Sequence, residues 1–159
     1  RYVSGETHRY LGRQYRLKVM AGQPDGAKLV AGYFEVYAPD RNDTETIRRQ
    51  LEEWYRERAE AVFGDVMEQC LQSPSLRKLD LTAMSIRMMT KRWGSCTRNG
   101  RILLNPLLVR TPRMCIEYVI AHELCHLIHH HHGPDFYRLL TRVQPDWQSR
   151  RERLNRCEL

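Results

Sequence analysis

Apolar residues partly alternate with basic ones along Tyr10–Val19, YLGRQYRLKV, which is the period-2 pattern of a strand with one buried face. A second strand run, LVAGYFEVYA, covers Leu29–Ala38 and is rich in Val and aromatic side chains that suit a pleated backbone. Between them Gly22–Gly26, with Pro24 and Asp25, forms a turn cluster, so residues 1–40 predict an N-terminal antiparallel sheet element. The period then lengthens. Ile47, Leu51, Trp54, Val62 and Val66 recur at close to helical spacing, and Pro74 ends the run. Asn42 with Glu45 resembles a capping box with Asn as the cap, so a long amphipathic helix is expected over 44–71.

From Met84 onward, MSIRMMTKRWGSCTRNGRILLNPLL returns to strand-like composition. Asn99-Gly100 is a hairpin signal, flanked by Trp93–Thr97 and Arg101–Asn105. Thr111-Pro112 opens a helix whose Ile116, Val119, Ile120, Leu124 and Leu127 fall on one stripe. Gly133-Pro134 breaks that helix and starts a short one through Val143, and Pro145 begins a last basic helix to about Asn155. No repeat, low-complexity segment or linker interrupts the 159 residues, an ordinary length for one domain. A single α+β domain over 1–159 is expected, with sheet and helices from residue 84 onward.

Composition narrows this little. Hydrophobic residues are 42% and charged residues 28%, as in an ordinary globular chain. No stretch approaches the roughly 18 apolar residues of a membrane span. The five cysteines are odd in number, scattered and without a CxxC pair, which points to a reducing, cytoplasmic setting. A net charge of +7 admits a nucleic-acid partner, yet the basic residues are dispersed and solvated helix faces account for most of them.

Chemistry concentrates in VIAHELCHLIHHHHGPDF, residues Val119–Phe136. Within it His122-Glu123-Leu124-Cys125-His126 has the form HExxH. On a helix, positions four apart differ by about 40° around the axis and about 6 Å along it, so both imidazoles can reach one ion. Glu123 lies about 100° further round, placed to reach a water on that ion as a general base. Cys125 points elsewhere and is expected in the core.

Two ligands do not hold a catalytic zinc, so a third is needed. On a straight helix His129 stands about 10 Å along the axis from His122, and His130 and His131 splay to other faces. His132 would be about 15 Å away if the helix continued, but Gly133-Pro134 argues that it does not. A chain reversing near His131 swings His132 back over the metal, which makes it the favoured third ligand. The rivals are carboxylates: Asp135, Asp146, Glu152 or Glu158. Asp135 is alternatively a hydrogen-bond acceptor for a ligand histidine.

RWGSC, GRILLN, YVIAHELCHL and the later His-Gly-Pro-Asp-Phe resemble, in order and spacing, the YgjP-like metallopeptidase family, and the related SprT-type zinc proteases. YLGRQYRLKV and the closing PDW fit the YgjP-like pattern too, so the resemblance covers nearly the whole chain. It implies a zincin-like α+β fold with a small antiparallel or mixed sheet and an HExxH helix. It also implies Zn2+ on His122, His126 and His132, with Glu123 as base. Gly133 departs from the Ser often found in YgjP-like sequences, and the extra histidine run would tolerate a second, weaker metal. SprT-type proteins include DNA-associated proteases, which adds some weight to the basic charge.

The expected reaction is hydrolysis of a peptide bond in a peptide or unfolded protein. Tyr118, Tyr137 and the WGSC segment are the candidates for a second electrophile. The hairpin could present an edge strand to an extended peptide, with Trp93 in the cleft or in the core, and Gly94 a close approach or a bulge. A nucleic-acid-associated or scaffolding domain with a structural or vestigial zinc is the alternative, as is a small-molecule metal amidase.

Overall fold

The computed structural model describes residues 2–22, 26–79 and 83–159, which leaves Pro24 and Asp25 of the expected turn cluster outside the described residues. Four strands open the chain: β1 (Thr7–Tyr10), β2 (Arg13–Ala21), β3 (Gly26–Val30) and β4 (Tyr33–Ala38). Each expected strand run is therefore a hairpin. Tyr10 pairs with Arg13 and Val30 with Tyr33, so Leu11-Gly12 and Ala31-Gly32 are two-residue loops. All four loop residues have positive φ, the mark of a type I′ turn. Leu-Gly and Ala-Gly lack the Asn or Asp that usually announces such a turn, which is why the alternation reads as unbroken.

The sheet order is β1-β2-β4-β3, with β2 and β4 parallel and the outer pairs antiparallel. This corrects the expected antiparallel element to a mixed sheet. Its buried face, Leu17, Val19, Phe34 and Val36, packs on helix α1 (Thr44–Leu71). That helix has the expected bounds, and Ile47, Leu51, Val62 and Val66 are buried as the spacing requires. Its cap differs: Asp43, not Asn42, accepts from the backbone N–H of Thr46 at 3.1 Å.

A second sheet, order β5-β7-β6, joins β5 (Ala83–Ile86), β6 (Gly94–Cys96) and β7 (Arg101–Leu104). β6 and β7 form the expected hairpin, closed by the Gly100 N–H on the Thr97 carbonyl at 3.1 Å, and β6 is left at the edge. A 3-10 turn, Pro106–Arg110, leads into α2 (Arg113–His126). Then come α3 (Pro134–Val143) and α4 (Trp147–Asn155).

Polar links fix α2 between its neighbours. Arg113 donates to Asp65 of α1 at 2.8 Å, and Arg150 of α4 donates to Glu117 at 2.7 Å and to the Met114 carbonyl at 3.1 Å. Arg150 is thus a bridge between helices, where the sequence suggested only a solvated basic face. Among the described residues no helix is long and apolar enough to cross a membrane.

Candidate metal centre

α2 buries Ile116, Val119, Ile120, Leu124 and Cys125 in the core and turns His122 and His126 the other way. The helix ends at His126, and Leu127 serves as its C-cap. Gly133 is extended at φ −95° and ψ −176°, and it launches α3 in a new direction. The irregular segment between the two helices, 127–133, returns His132. Its Nε2 lies 2.8 Å from His126 Nε2 and 3.2 Å from His122 Nε2.

The donor set suits a small tetrahedral cation. Zn–N bonds of about 2.0–2.1 Å place tetrahedral nitrogens roughly 3.3 Å apart, close to the spacings seen. Among the described residues these three histidines are the group able to hold a metal, with donor atoms all within 4.8 Å of one another. Tautomers agree with that use. His126 Nδ1–H donates to the His129 carbonyl at 3.1 Å, and His122 Nδ1–H donates to Glu123 Oε2 at 3.3 Å, leaving Nε2 lone pairs on both rings. Burial holds the His126 imidazole below its ordinary pKa, and the neighbouring His122 pushes the same way. His132 is held down by the same two causes. Neutral imidazole, the metal-binding form, is favoured.

Glu123 is buried, 7% exposed, and its carboxylate lines the cleft beside His122. That cleft has a volume of about 820 Å3 and runs between the histidines and β6. A Cβ built on Gly94 would stand 2.9 Å from Val119 Cγ1 and 3.3 Å from Glu123 Cγ. The question between close approach and bulge is therefore answered: β6 runs hard against α2 at the turn bearing Glu123.

Three of the four rival ligands are placed elsewhere. Asp135 pairs with Arg138 and Asp146 with Arg150, so Asp135 is not the acceptor for a ligand histidine; the His129 backbone fills that role. Glu158 lines a different cleft. Cys125 is fully buried, and burial pushes its thiol up to about 12, far from thiolate at neutral pH. His130 and His131 line the outer cleft as exposed side chains. Trp93 is half-buried and faces a smaller pocket of about 210 Å3 with Tyr118 and Val119. Tyr118 is buried with its ring 5.8 Å from His122, and Tyr137 stacks between His132 and Trp147.

Two supporting residues carry no role in the sequence reading. Phe136 is fully buried, and its ring centroid lies 5.1, 4.4 and 5.0 Å from those of His122, His126 and His132. Asn105 is also fully buried. Its amide donates to the carbonyls of Met89 at 2.8 Å and Arg92 at 3.1 Å, tying down the segment that enters β6. Its place just after an apolar strand, at Asn-Pro, is a signal for a turn or cap only.

Small sheets packed on helices, with three imidazoles gathered beside a buried carboxylate in an open cleft, describe a metallopeptidase-type domain. The chain belongs to the YgjP-like metallopeptidase domain family, whose model matches residues 1–157. Among solved structures it is similar to abylysin, a metallopeptidase zymogen of Pyrococcus abyssi known from a crystal structure. That likeness has a TM-score of 0.51 at 21% identity and covers 58% of this chain and 90% of that one, so it speaks for the fold. Among curated proteins, none matches the sequence.

Proposed function

We infer that this chain is a zinc-dependent peptidase, with His122, His126 and His132 as ligands and Glu123 as general base. The observation that carries the reading is the convergence of three Nε2 atoms beside a buried carboxylate that opens on a cleft. Three protein ligands with a free position is the habit of catalytic zinc, whereas structural sites close with four.

Bound by these three histidines, zinc would supply Lewis acidity to a scissile carbonyl and would bring the pKa of an attacking water towards about 7. Glu123 accepts the proton of that water as it adds to the carbonyl, then delivers it to the departing amine. The His129 carbonyl and the Phe136 ring hold the His126 imidazole in place. The free edge of β6 offers main-chain groups to an extended substrate. Such pairing reads backbone more than side chains, so the substrate class is an unfolded polypeptide.

Three variants test this. Glu123→Gln should keep stoichiometric zinc and lose cleavage of an unfolded polypeptide, whereas a module with structural zinc would lose nothing. His132→Ala should lose zinc, and His131→Ala should keep it. Full zinc affinity in His132→Ala would remove the ligand assignment, and undiminished cleavage by Glu123→Gln would remove the base.

A further inference from the structure

A second cleft, of about 520 Å3, lies at the other end of α2, where β1, the Pro106–Arg110 turn and the tail of α4 meet. Four guanidiniums line it: Arg9, Arg110, Arg153 and Arg156, with His8 beside them and Glu158 as the one carboxylate. Arg48, Arg56, Arg113, Arg138 and Arg150 all sit in ion pairs. Among the described residues none of the four cleft arginines does; Arg153 donates to the thiol of Cys157 at 3.5 Å. Gathering unpaired like charges around one concavity costs free energy unless an anion offsets it.

Two further observations describe how the cleft is built. The Arg110 Nε and the His8 Nε2 are buried atoms without a hydrogen-bond partner among the described residues, and both residues line this cleft. Buried polar atoms are normally satisfied. The cleft is also held in shape. The Arg110 guanidinium lies 4.7 Å over the Tyr55 ring, and Tyr55 Oη donates to the Arg9 carbonyl at 2.5 Å. The β1–β2 turn docks through the Leu11 and Gly12 N–H groups on the Val109 and Arg110 carbonyls, each at 2.9 Å. The α2 N-terminus opens here without a side-chain cap and adds its positive dipole end.

We propose that this arginine-lined cleft binds a ligand bearing two or more linked phosphate groups. Guanidinium forks match phosphate oxygens in pairs, and four forks exceed what one phosphate can satisfy. The ligand is either a short polyphosphate, free or on a nucleotide, or successive phosphates of a nucleic-acid strand. The cleft is separate from the histidine centre: the 14-residue α2 sets the two apart by roughly 20 Å at about 1.5 Å per residue.

Binding is measured on the zinc-loaded chain in a phosphate-free buffer. Tripolyphosphate is titrated calorimetrically, and a labelled single-stranded oligonucleotide is followed by anisotropy over a range of salt. Arg9 and Arg156 are exposed, so Arg9→Glu/Arg156→Glu should fold, and a thermal melt checks this. The milder Arg9→Gln/Arg156→Gln serves if it does not. Saturable binding of tripolyphosphate that the double variant weakens about tenfold or more supports the small ligand. Oligonucleotide binding with the same loss, and a salt slope reduced by about two, supports the strand. Arg56→Glu, outside the cleft, should bind as wild type. Binding of neither probe, or binding that a folded double variant leaves unchanged, overturns the proposal.

Discussion

The ring of Phe136 lies stacked on the imidazole of His126, with centroids 4.4 Å apart and planes 25° apart. The same ring meets His122 and His132 edge-on, so one apolar side chain from α3 sets the positions of all three imidazoles. It does so from full burial, which couples the rigidity of the centre to the stability of the core.

Phe136→Ala should therefore act twice. Loss of a buried aromatic costs roughly 3–5 kcal/mol, and the rings it supports gain freedom. Thermal denaturation should show the stability loss at about 2–4 °C per kcal/mol, and zinc titration should show weakened affinity. Phe136→Leu should recover most of the melting temperature but less of the affinity. Unchanged zinc affinity in both would mean that Phe136 only fills space.

Asn105→Ala removes three hydrogen bonds made by one side chain: two to the Met89 and Arg92 carbonyls and one from the Leu107 N–H at 3.0 Å. Leaving such partners unpaired costs roughly 1–3 kcal/mol. Because the freed segment leads directly into β6, KM for an unfolded polypeptide should rise more than kcat falls. Steady-state kinetics beside a thermal melt reads both.

At Gly94 even one methyl is too much. Gly94→Ala places Cβ 2.9 Å from Val119 Cγ1, and relief requires β6 or α2 to shift. Overpacking of this kind costs typically about 1–3 kcal/mol. The shift falls at Glu123, so kcat should drop even where the fold survives. Gly94→Ala with Val119→Ala should restore part of the activity, and no rescue would argue against the steric cause.

His8 carries a pH dependence away from the metal centre. Burial lowers its pKa below the ordinary value of 6.5, with Arg110 opposing the charge and Glu6 partly favouring it. The folded chain thus binds this proton less readily than the unfolded chain. Its contribution to stability is present above pH 6.5 and is lost as pH falls through the lowered folded value. His8→Gln should flatten the decline of melting temperature between about pH 7 and 5 in phosphate-free buffer. A decline as steep as wild type would discount His8.

Periodicity carried the helices because a buried stripe at 3.6 residues per turn leaves a local record; 44–71 is the clearest case. HExxH was legible for the same reason, since both histidines and Glu123 share a few residues of one helix. His132 could be favoured from Gly133-Pro134, although α2 stops at His126, seven residues before that pair. The hairpin turns at Leu11-Gly12 and Ala31-Gly32 were not legible, because neither carries the Asn or Asp that announces positive φ; the first docks with Gly12 against Pro112, and the second stands exposed. Nor was the parallel β2–β4 pairing, which joins strands without local contact.

Tertiary structure alone decided what surrounds the centre. Phe136 reads as an apolar residue of a short helix, Asn105 as a turn residue and Gly94 as either a close approach or a bulge. Their roles come from the packing of α3 and β6 against α2, a property of chain segments far apart in order. The arginine cleft is the same kind of fact: Arg9, Arg110 and Arg156 look dispersed along the chain and become neighbours only when the fold closes. Local chemistry is written in short spacings, whereas support and electrostatic field depend on three-dimensional contact, which no spacing records.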